Sequence, residues 1–250
     1  MVHVEPSGSG PRLVMIHGFT QSGQAWGPAA AALARHRTLL LLDAPGHGRS
    51  AQVAVDLPTG ADLMAAAVAG TGGPAAWLGY SMGGRYALHV ALRHPHLVER
   101  LILVSTTAGI DDPDEREARR RADDERAARL ESEGVEPFIR WWLDQPLFAT
   151  LPAGAAQMES RLEGSAAGLA ASLRLAGTGT QEPLWDRLGQ LAVPVLIVAG
   201  RLDRKYAELA ERLGRAIGDN ATVQILERAG HSCHLEQPDE FIEVVEAWLG

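Results

Sequence analysis

The feature that most constrains this chain is an alternation of short apolar runs with helix-like segments. The apolar runs of the first half lie at residues 13–16, 38–42, 75–78 and 101–104. Their length and continuous apolar character are typical of strands buried on both faces. Helical patterns lie between them, at residues 26–34, 62–69 and 85–94. Strands that alternate with helices in this way predict an α/β fold with a mostly parallel central sheet flanked by helices.

The pattern changes at Asp111, and residues 111–186 contain no convincing strand. This stretch has a charge-dense helical segment at 114–133 and an Ala/Leu-rich one at 154–177, which Gly164 and Gly168 interrupt. Strand and helix patterns then return at 193–198, 206–217, 221–226 and 238–249. We therefore predict one domain: an α/β core made of residues 1–110 and 187–250, with residues 111–186 as an all-helical lid insertion.

Composition and charge exclude several classes of protein. The only cysteine is Cys233, so no intrachain disulfide can form. The net charge of −8 argues against non-specific binding to nucleic acid or to an anionic membrane surface. No apolar run is long enough to span a membrane, and residues 1–10 do not resemble a secretory signal. We expect a cytoplasmic protein without a membrane span, as a monomer rather than an oligomer.

The sharpest local signal is the sequence Gly-Tyr-Ser-Met-Gly at residues 79–83, a G-x-S-x-G motif. It lies between the predicted strand at 75–78 and the helical pattern that starts at Arg85. That position is where a nucleophile elbow belongs, because small residues on both sides let the strand turn tightly into the helix. The turn holds Ser81 in a strained conformation and exposes its hydroxyl, and Gly84 permits close packing of the helix.

A serine hydroxyl needs a base, and that base needs a carboxylate to orient it. Asp203 and His231 supply these groups in the order Ser, Asp, His, each in a loop that follows a predicted strand. His234 is the nearest alternative to His231. For Asp203, the alternative is a solvated acid beside the neighbouring arginines.

Two backbone amides are candidates for an oxyanion hole. Phe19 follows the first predicted strand, and Met82 follows Ser81, so both N–H groups are expected to face the serine. The histidines and acids do not fall at metal-ligand spacings, and no phosphate-binding G-x-x-x-x-G-K-[ST] motif occurs. We therefore predict no metal and no cofactor.

The chain resembles the α/β-hydrolase superfamily over essentially its whole length. The resemblance rests on the motifs at residues 17–19, 43–50, 79–83 and 230–231, and on Asp203. A narrower resemblance is to the 2-succinyl-6-hydroxy-2,4-cyclohexadiene-1-carboxylate synthases, lyases of menaquinone biosynthesis. It is carried by the elbow through Arg85 and by segments that lie mostly in the predicted lid, at residues 105–110, 115–123, 138–142, 145–148, 177–181 and 184–188.

This resemblance implies a set of functional residues. Ser81, Asp203 and His231 match the catalytic positions of that family. Its substrate-binding positions match Tyr80, Arg85, Arg119, Trp142, Phe148 and Arg161. Trp141 is an alternative to Trp142, and Arg120 or Arg121 to Arg119. Arg85 lies four residues after Ser81, about one helical turn away. A cation buried there without a partner is costly, and a small anionic substrate would offset that cost.

The activity that the resemblance implies is elimination of pyruvate from 2-succinyl-5-enolpyruvyl-6-hydroxy-3-cyclohexene-1-carboxylate, with the Ser-His-Asp triad acting as a base. The same triad also suits a hydrolase, either an esterase or a C–C hydrolase, that acts on an anionic substrate with Ser81 as nucleophile. A third class, a non-enzymatic binding protein of the same fold, would show a broken triad, whereas this one is complete in sequence.

Overall fold

The computed structural model describes residues 1–250 and contains one seven-stranded sheet. The strands are β1 (Val4–Gly8), β2 (Arg12–Ile16), β3 (Thr38–Leu42), β4 (Ala75–Tyr80), β5 (Val98–Val104), β6 (Val195–Gly200) and β7 (Ala221–Leu226). Their order is β1-β3-β2-β4-β5-β6-β7, and only the β1–β3 pair is antiparallel. The predicted α/β class and the mostly parallel sheet are confirmed.

Strand β1 was not predicted, because Val4–Gly8 contains Pro6 and Gly8 and has no apolar alternation. It lies at the sheet edge, with four of its five residues exposed, and Val4 pairs with Leu42. Proline is tolerated there because an edge strand has one unpaired side. This segment therefore forms a strand because it pairs with the free edge of β3, although its own sequence gives little strand signal.

Ten α-helices accompany the sheet. They are α1 (Pro28–Leu33), α2 (Leu57–Ala69), α3 (Met82–Arg93), α4 (Pro113–Glu133), α5 (Val135–Leu143), α6 (Met158–Leu162), α7 (Ala166–Ala176), α8 (Arg204–Ile217), α9 (Cys233–Glu236) and α10 (Pro238–Leu249). None of them combines the length and the apolar composition that crossing a bilayer requires.

The five inner strands of the sheet, β2 to β6, are buried on both faces. Along β2, Leu13 and Met15 belong to one apolar cluster, with α1 and α10, whereas Val14 and Ile16 belong to the other, with α2, α3 and α8. Side chains of a strand point alternately to its two faces, so both sets must be apolar. This explains the continuous apolar runs in the sequence. Because β2 to β7 are parallel, their carboxyl ends lie at the same end of the sheet.

Between β5 and β6 the chain forms α4 to α7 and no strand. These helices have a small core of their own, centred on Phe138, Leu130 and Leu173. The expected helix at 154–177 is in fact two helices separated near Gly164, with Ser165 capping the second at its N-terminus. Gly168 is not an interruption: it lies inside α7, where a Cβ atom would come within 2.6 Å of a backbone carbonyl oxygen of the core.

Candidate active site

Ser81 lies in a tight turn between β4 and α3. Its φ of 51° and ψ of −108° place it in a strained region of backbone conformation. A Cβ atom at Gly79 would lie 2.3 Å from the carbonyl oxygen of Gly83, and one at Gly83 would lie 2.0 Å from a carbonyl oxygen of β2. At Gly84 a Cβ atom would lie 2.6 Å from Thr106. Only glycine fits these positions, so the motif is what allows this turn.

The structure brings Ser81, His231 and Asp203 together. His231 Nδ1 lies 2.8 Å from Asp203 Oδ2, and His231 Nε2 lies 3.1 Å from Ser81 Oγ. Because a carboxylate only accepts, Nδ1 carries the proton and donates, and Nε2 is free to accept the serine O–H. Asp203 also caps α8, since its Oδ1 accepts the N–H of Tyr206. Asp203 is therefore not the solvated acid of the alternative reading.

His234 is not part of this chain of hydrogen bonds. It is buried against the rings of Tyr80 and Trp26, at centroid distances of 4.4 and 5.0 Å. Burial, followed by repulsion from His231, lowers the pKa of His234 to about 3. The structure therefore leaves His231 as the histidine at the serine.

Aromatic rings surround His231, which is only 2% exposed. The ring of Tyr206 lies 4.5 Å away, that of Tyr80 5.4 Å and that of Phe148 6.2 Å. The Tyr80 hydroxyl forms a 2.8 Å hydrogen bond with Ser232 Oγ, and burial raises its pKa. These contacts restrict rotation of the imidazole and keep Nε2 directed at Ser81.

The backbone amides of Phe19 and Met82 both lack a hydrogen-bond acceptor within the protein, although most backbone donors have one. Met82 is the first residue of α3, so its amide adds the positive end of a helix dipole. Both residues line the same cavity as Ser81. The two amides are thus available for a ligand oxygen, as an oxyanion hole requires.

That cavity has a volume of about 280 Å³ and contacts Ser81, His231 and every predicted substrate-binding residue. Its lining contains five cationic side chains and no acidic one. The cations are Arg85, Arg119, Arg126, Arg161 and Lys205. Because the whole chain is acidic, this cluster is a local feature that favours an anionic ligand.

Arg85 and Arg161 are buried without any carboxylate partner. Arg85, 6% exposed, donates Nη1 to the carbonyl oxygen of Ala176 at 2.8 Å, and burial lowers its pKa. Arg161, 1% exposed, donates Nε to the carbonyl oxygen of Ala156 at 2.8 Å and Nη1 to Thr20 Oγ1. Burial lowers the pKa of Arg161 to about 10. Unpaired buried cations are costly and mark a site for an anion.

Of the three consecutive arginines of α4, only Arg119 reaches the cavity; Arg120 and Arg121 pair with Glu117 on the exposed face. Likewise Trp142 lines the cavity, whereas Trp141 lies under the guanidinium of a surface arginine. The sequence left both choices open.

The sequence interpretation missed some of the lining residues. They include Gln21, Thr106, Thr107, Arg126, Gln145, Thr178 and Lys205. A signal existed for Arg126, which follows Arg119 by seven residues and so shares its helix face. Thr106, Thr107, Gln145 and Thr178 lie in segments that carry the family resemblance, but local pattern gives no sign that their side chains face a cavity. No three His, Cys, Asp or Glu side chains are grouped as metal ligands.

The sheet order and the elbow are those of an α/β-hydrolase fold. The model of the alpha/beta hydrolase family matches residues 13–244. The 2-succinyl-6-hydroxy-2,4-cyclohexadiene-1-carboxylate synthase of Serratia proteamaculans (strain 568) is 31% identical, over 96% of this chain and 93% of its own length. The enzyme of the same description from Yersinia pestis bv. Antiqua (strain Nepal516) is 32% identical, over 96% of this chain and 88% of its own length.

A solved structure extends this similarity to three dimensions. The structure of MenH from S. aureus superposes with a TM-score of 0.93 at 30% identity, over 100% of this chain and 98% of that one. The chain therefore belongs to the alpha/beta hydrolase family and, within it, to the 2-succinyl-6-hydroxy-2,4-cyclohexadiene-1-carboxylate synthases.

Proposed function

We propose that this chain is a carbon–oxygen lyase of menaquinone biosynthesis. It eliminates pyruvate from 2-succinyl-5-enolpyruvyl-6-hydroxy-3-cyclohexene-1-carboxylate and releases 2-succinyl-6-hydroxy-2,4-cyclohexadiene-1-carboxylate. The similarity to the synthases carries the reaction, and the cavity supports the substrate. The observation that argues most directly for it is the pair of buried arginines without carboxylate partners beside Ser81, since the substrate carries three carboxylates.

In this proposal Ser81 acts as a base. Its hydroxyl proton moves to His231 Nε2, 3.1 Å away, while Ser81 Oγ takes the proton next to the succinyl ketone. Asp203 stabilises the imidazolium that forms, because its carboxylate already accepts from Nδ1 at 2.8 Å. The electrons of the broken C–H bond pass to the ketone oxygen, which the amides of Phe19 and Met82 stabilise.

The enolate then collapses. Its electron pair forms a double bond between C2 and C3, the ring double bond between C3 and C4 shifts to C4 and C5, and the bond from C5 to the enolpyruvyl oxygen breaks. The leaving group takes a proton, which the imidazolium of His231 can return through Ser81, and becomes pyruvate. No water is consumed and no net oxidation occurs. The same groups in a hydrolase would form an acyl-enzyme on Ser81, which this route does not require.

The remaining predicted residues bind the substrate. Arg85, Arg119 and Arg161 are proposed to hold its carboxylates through charge-assisted hydrogen bonds. Tyr80, Trp142 and Phe148 form the apolar wall against the ring. Arg85 belongs to the core, whereas Arg119 and Arg161 come from α4 and α6. We propose that residues 111–186 form a lid, since binding one anion through all three arginines holds this insertion against the core.

The test is direct. Purified protein is incubated with the enolpyruvyl substrate, and pyruvate and the diene chromophore are both measured. We expect equal amounts of the two, and Ser81→Ala at the spontaneous rate is the matched control. If the protein forms product no faster than the spontaneous rate, the proposal is overturned. Efficient cleavage of an anionic ester with a trapped Ser81 acyl-enzyme, in place of elimination, establishes the hydrolase instead.

We also propose that the protein works as a cytoplasmic monomer. The site is complete within one chain, since Ser81, His231, Asp203 and the five cavity cations all belong to it. Light scattering after gel filtration, at micromolar concentration, should give a mass near the 26.7 kDa of one chain. Immunoblots of fractionated cells should place the protein in the cytosolic fraction, and recovery with the membranes would contradict this.

A further inference from the structure

Two pocket arginines, Arg119 and Arg126, converge on one buried carboxylate of α4. Arg119 Nε and Arg126 Nη1 each lie 2.8 Å from the same atom, Asp123 Oδ1. The spacing of three and four residues puts all three side chains on one face of the helix. That face turns toward the cavity, because both arginines line it.

Asp123 is 2% exposed, and its second oxygen, Oδ2, is buried without a hydrogen-bond partner. The loop after α7 covers it closely, since a Cβ atom at Gly177 would lie 2.7 Å from Oδ2. This packing fixes the position of the Asp123 carboxylate. The side chains of Arg119 and Arg126 must therefore orient toward it to form their hydrogen bonds. Asp123 therefore fixes where two guanidinium groups point.

The other arginines of α4 behave differently. Arg120 and Arg121 pair with Glu117, and Arg129 pairs with Glu133 at 2.9 Å; all three are outside the cavity lining. In these surface pairs the arginine is bound to an exposed acid, and water screens the attraction between the two charges. Arg126 differs because its carboxylate partner, Asp123, is buried and because Arg126 lines the cavity, with only its Nη1 bonded within the protein.

Charge supports the same reading. Arg119 and Arg126 together carry two positive charges and share one negative charge, so the pair keeps a net charge of +1. A substrate carboxylate can be held across the two guanidinium groups without displacing Asp123, because each group retains unpaired donors. Resting on the proposed function, this gives the three-carboxylate substrate a site formed by a pair of arginines in addition to the single sites at Arg85 and Arg161.

We propose that Arg126 is a further substrate-binding residue, which holds a substrate carboxylate together with Arg119, and that Asp123 is the positioning residue for this pair. In this proposal Arg126 contacts the substrate carboxylate equally in the ground state and in the transition state. Its loss therefore raises KM and leaves kcat nearly unchanged. Asp123 touches no substrate and acts only through the two arginines.

The first test is Arg126→Gln against the matched control Arg129→Gln. The control changes an ion-paired arginine one turn further along the same helix, outside the cavity. We expect KM for the enolpyruvyl substrate to rise about tenfold in Arg126→Gln, with kcat within twofold, and both constants to stay within twofold in the control. A KM within twofold of wild type in Arg126→Gln overturns the assignment.

Asp123→Asn separates positioning from simple neutralisation. The substitution removes a negative charge beside the cavity. If Asp123 only weakened the arginines, KM for the anionic substrate would fall, and that result overturns the positioning role. If Asp123 positions them, KM rises severalfold although the cavity has become more positive. Arg126→Lys retains a cation at this partly buried position, and its partial recovery of KM relative to Arg126→Gln keeps the test valid where Asp123→Asn does not fold.

A binding measurement distinguishes this proposal from the proposed function. Citrate, a small tricarboxylate, should raise the thermal unfolding midpoint of wild type and of Arg129→Gln, and should raise that of Arg126→Gln by less than half as much. If wild type lacks elimination activity but shows this pattern of midpoints, the proposed reaction is overturned and the anion-binding role of Arg126 is supported. If wild type catalyses elimination and Arg126→Gln has an unchanged KM, the proposed reaction is supported and the role of Arg126 is overturned. If wild type shows neither turnover nor a citrate shift, both proposals are overturned.

Discussion

Replacing Arg85 with methionine should separate activity from stability. Arg85 is buried on the elbow helix, its Nη1 bonds the carbonyl oxygen of Ala176, and no carboxylate lies in contact with it. Methionine matches the aliphatic stem of arginine but carries no guanidinium. The substitution therefore removes the cation while keeping the apolar stem in the packed helix.

The expected loss of activity follows from the contact that the substrate would make. A hydrogen bond to a charged group contributes about 1.5–3 kcal/mol, which corresponds to roughly 10- to 150-fold in kcat/KM. Stability should respond differently. Burying a cation costs several kcal/mol, and that cost disappears along with the bond to Ala176. Because these terms oppose each other, we expect the free energy of unfolding to change by less than about 2 kcal/mol, below the usual cost of truncating a core residue.

The assay is kcat/KM on the enolpyruvyl substrate, together with urea unfolding of the same preparations. Arg37→Met is the control, because Arg37 is also largely buried, also donates to a main-chain oxygen, that of Gly250, and lies outside the cavity. It should keep wild-type kcat/KM. Hydrolysis of p-nitrophenyl acetate, where present, should be the same in wild type and Arg85→Met. Equal kcat/KM in wild type and Arg85→Met would refute the anion-binding role, and a loss that matches the Arg37→Met control would show a general packing effect.

Three further predictions concern the elbow, the cysteine and acid stability. Ser81→Ala and His231→Ala should each lower kcat by orders of magnitude, and the double variant should be little worse than either; losses that multiply would contradict a single catalytic unit. Cys233→Ser should keep kcat/KM within about threefold, since Cys233 is fully buried and burial raises the pKa of its thiol to about 12, so a well-folded but inactive variant would require a different mechanism. Burial lowers the pKa of His17 to about 4 and that of His47 to about 3, below their ordinary value of 6.5, so the unfolded chain binds protons that the native state does not. The free energy of unfolding should therefore be constant above pH 6.5 and fall by about 2 kcal/mol per histidine by pH 5 in urea titrations, and a flat profile would contradict this.

The sequence by itself determined the parts of this protein that depend on local pattern. Strand patterns predicted six of the seven strands. Five of these segments are mainly apolar runs, as a strand covered on both faces requires, whereas β7 alternates between partly buried and exposed residues. Ser81, Asp203 and His231 were identified from their places after strands, since the carboxyl ends of parallel strands meet at one edge. The structure brings these three side chains within hydrogen-bond distance.

Tertiary structure decided what local pattern cannot contain. Helix α4 is charged on all sides, so its sequence does not show which arginines face the cavity; packing against α7 turns Arg119 and Arg126 inward and leaves Arg120 outside. Strand β1 exists because β3 offers a free edge. Whether a buried arginine has a partner depends on residues distant in sequence, as the bond from Arg85 to Ala176 shows. Long polar side chains take their direction from such contacts, so the contribution of Arg126 and Lys205 to the charge of the cavity emerged only in the folded chain.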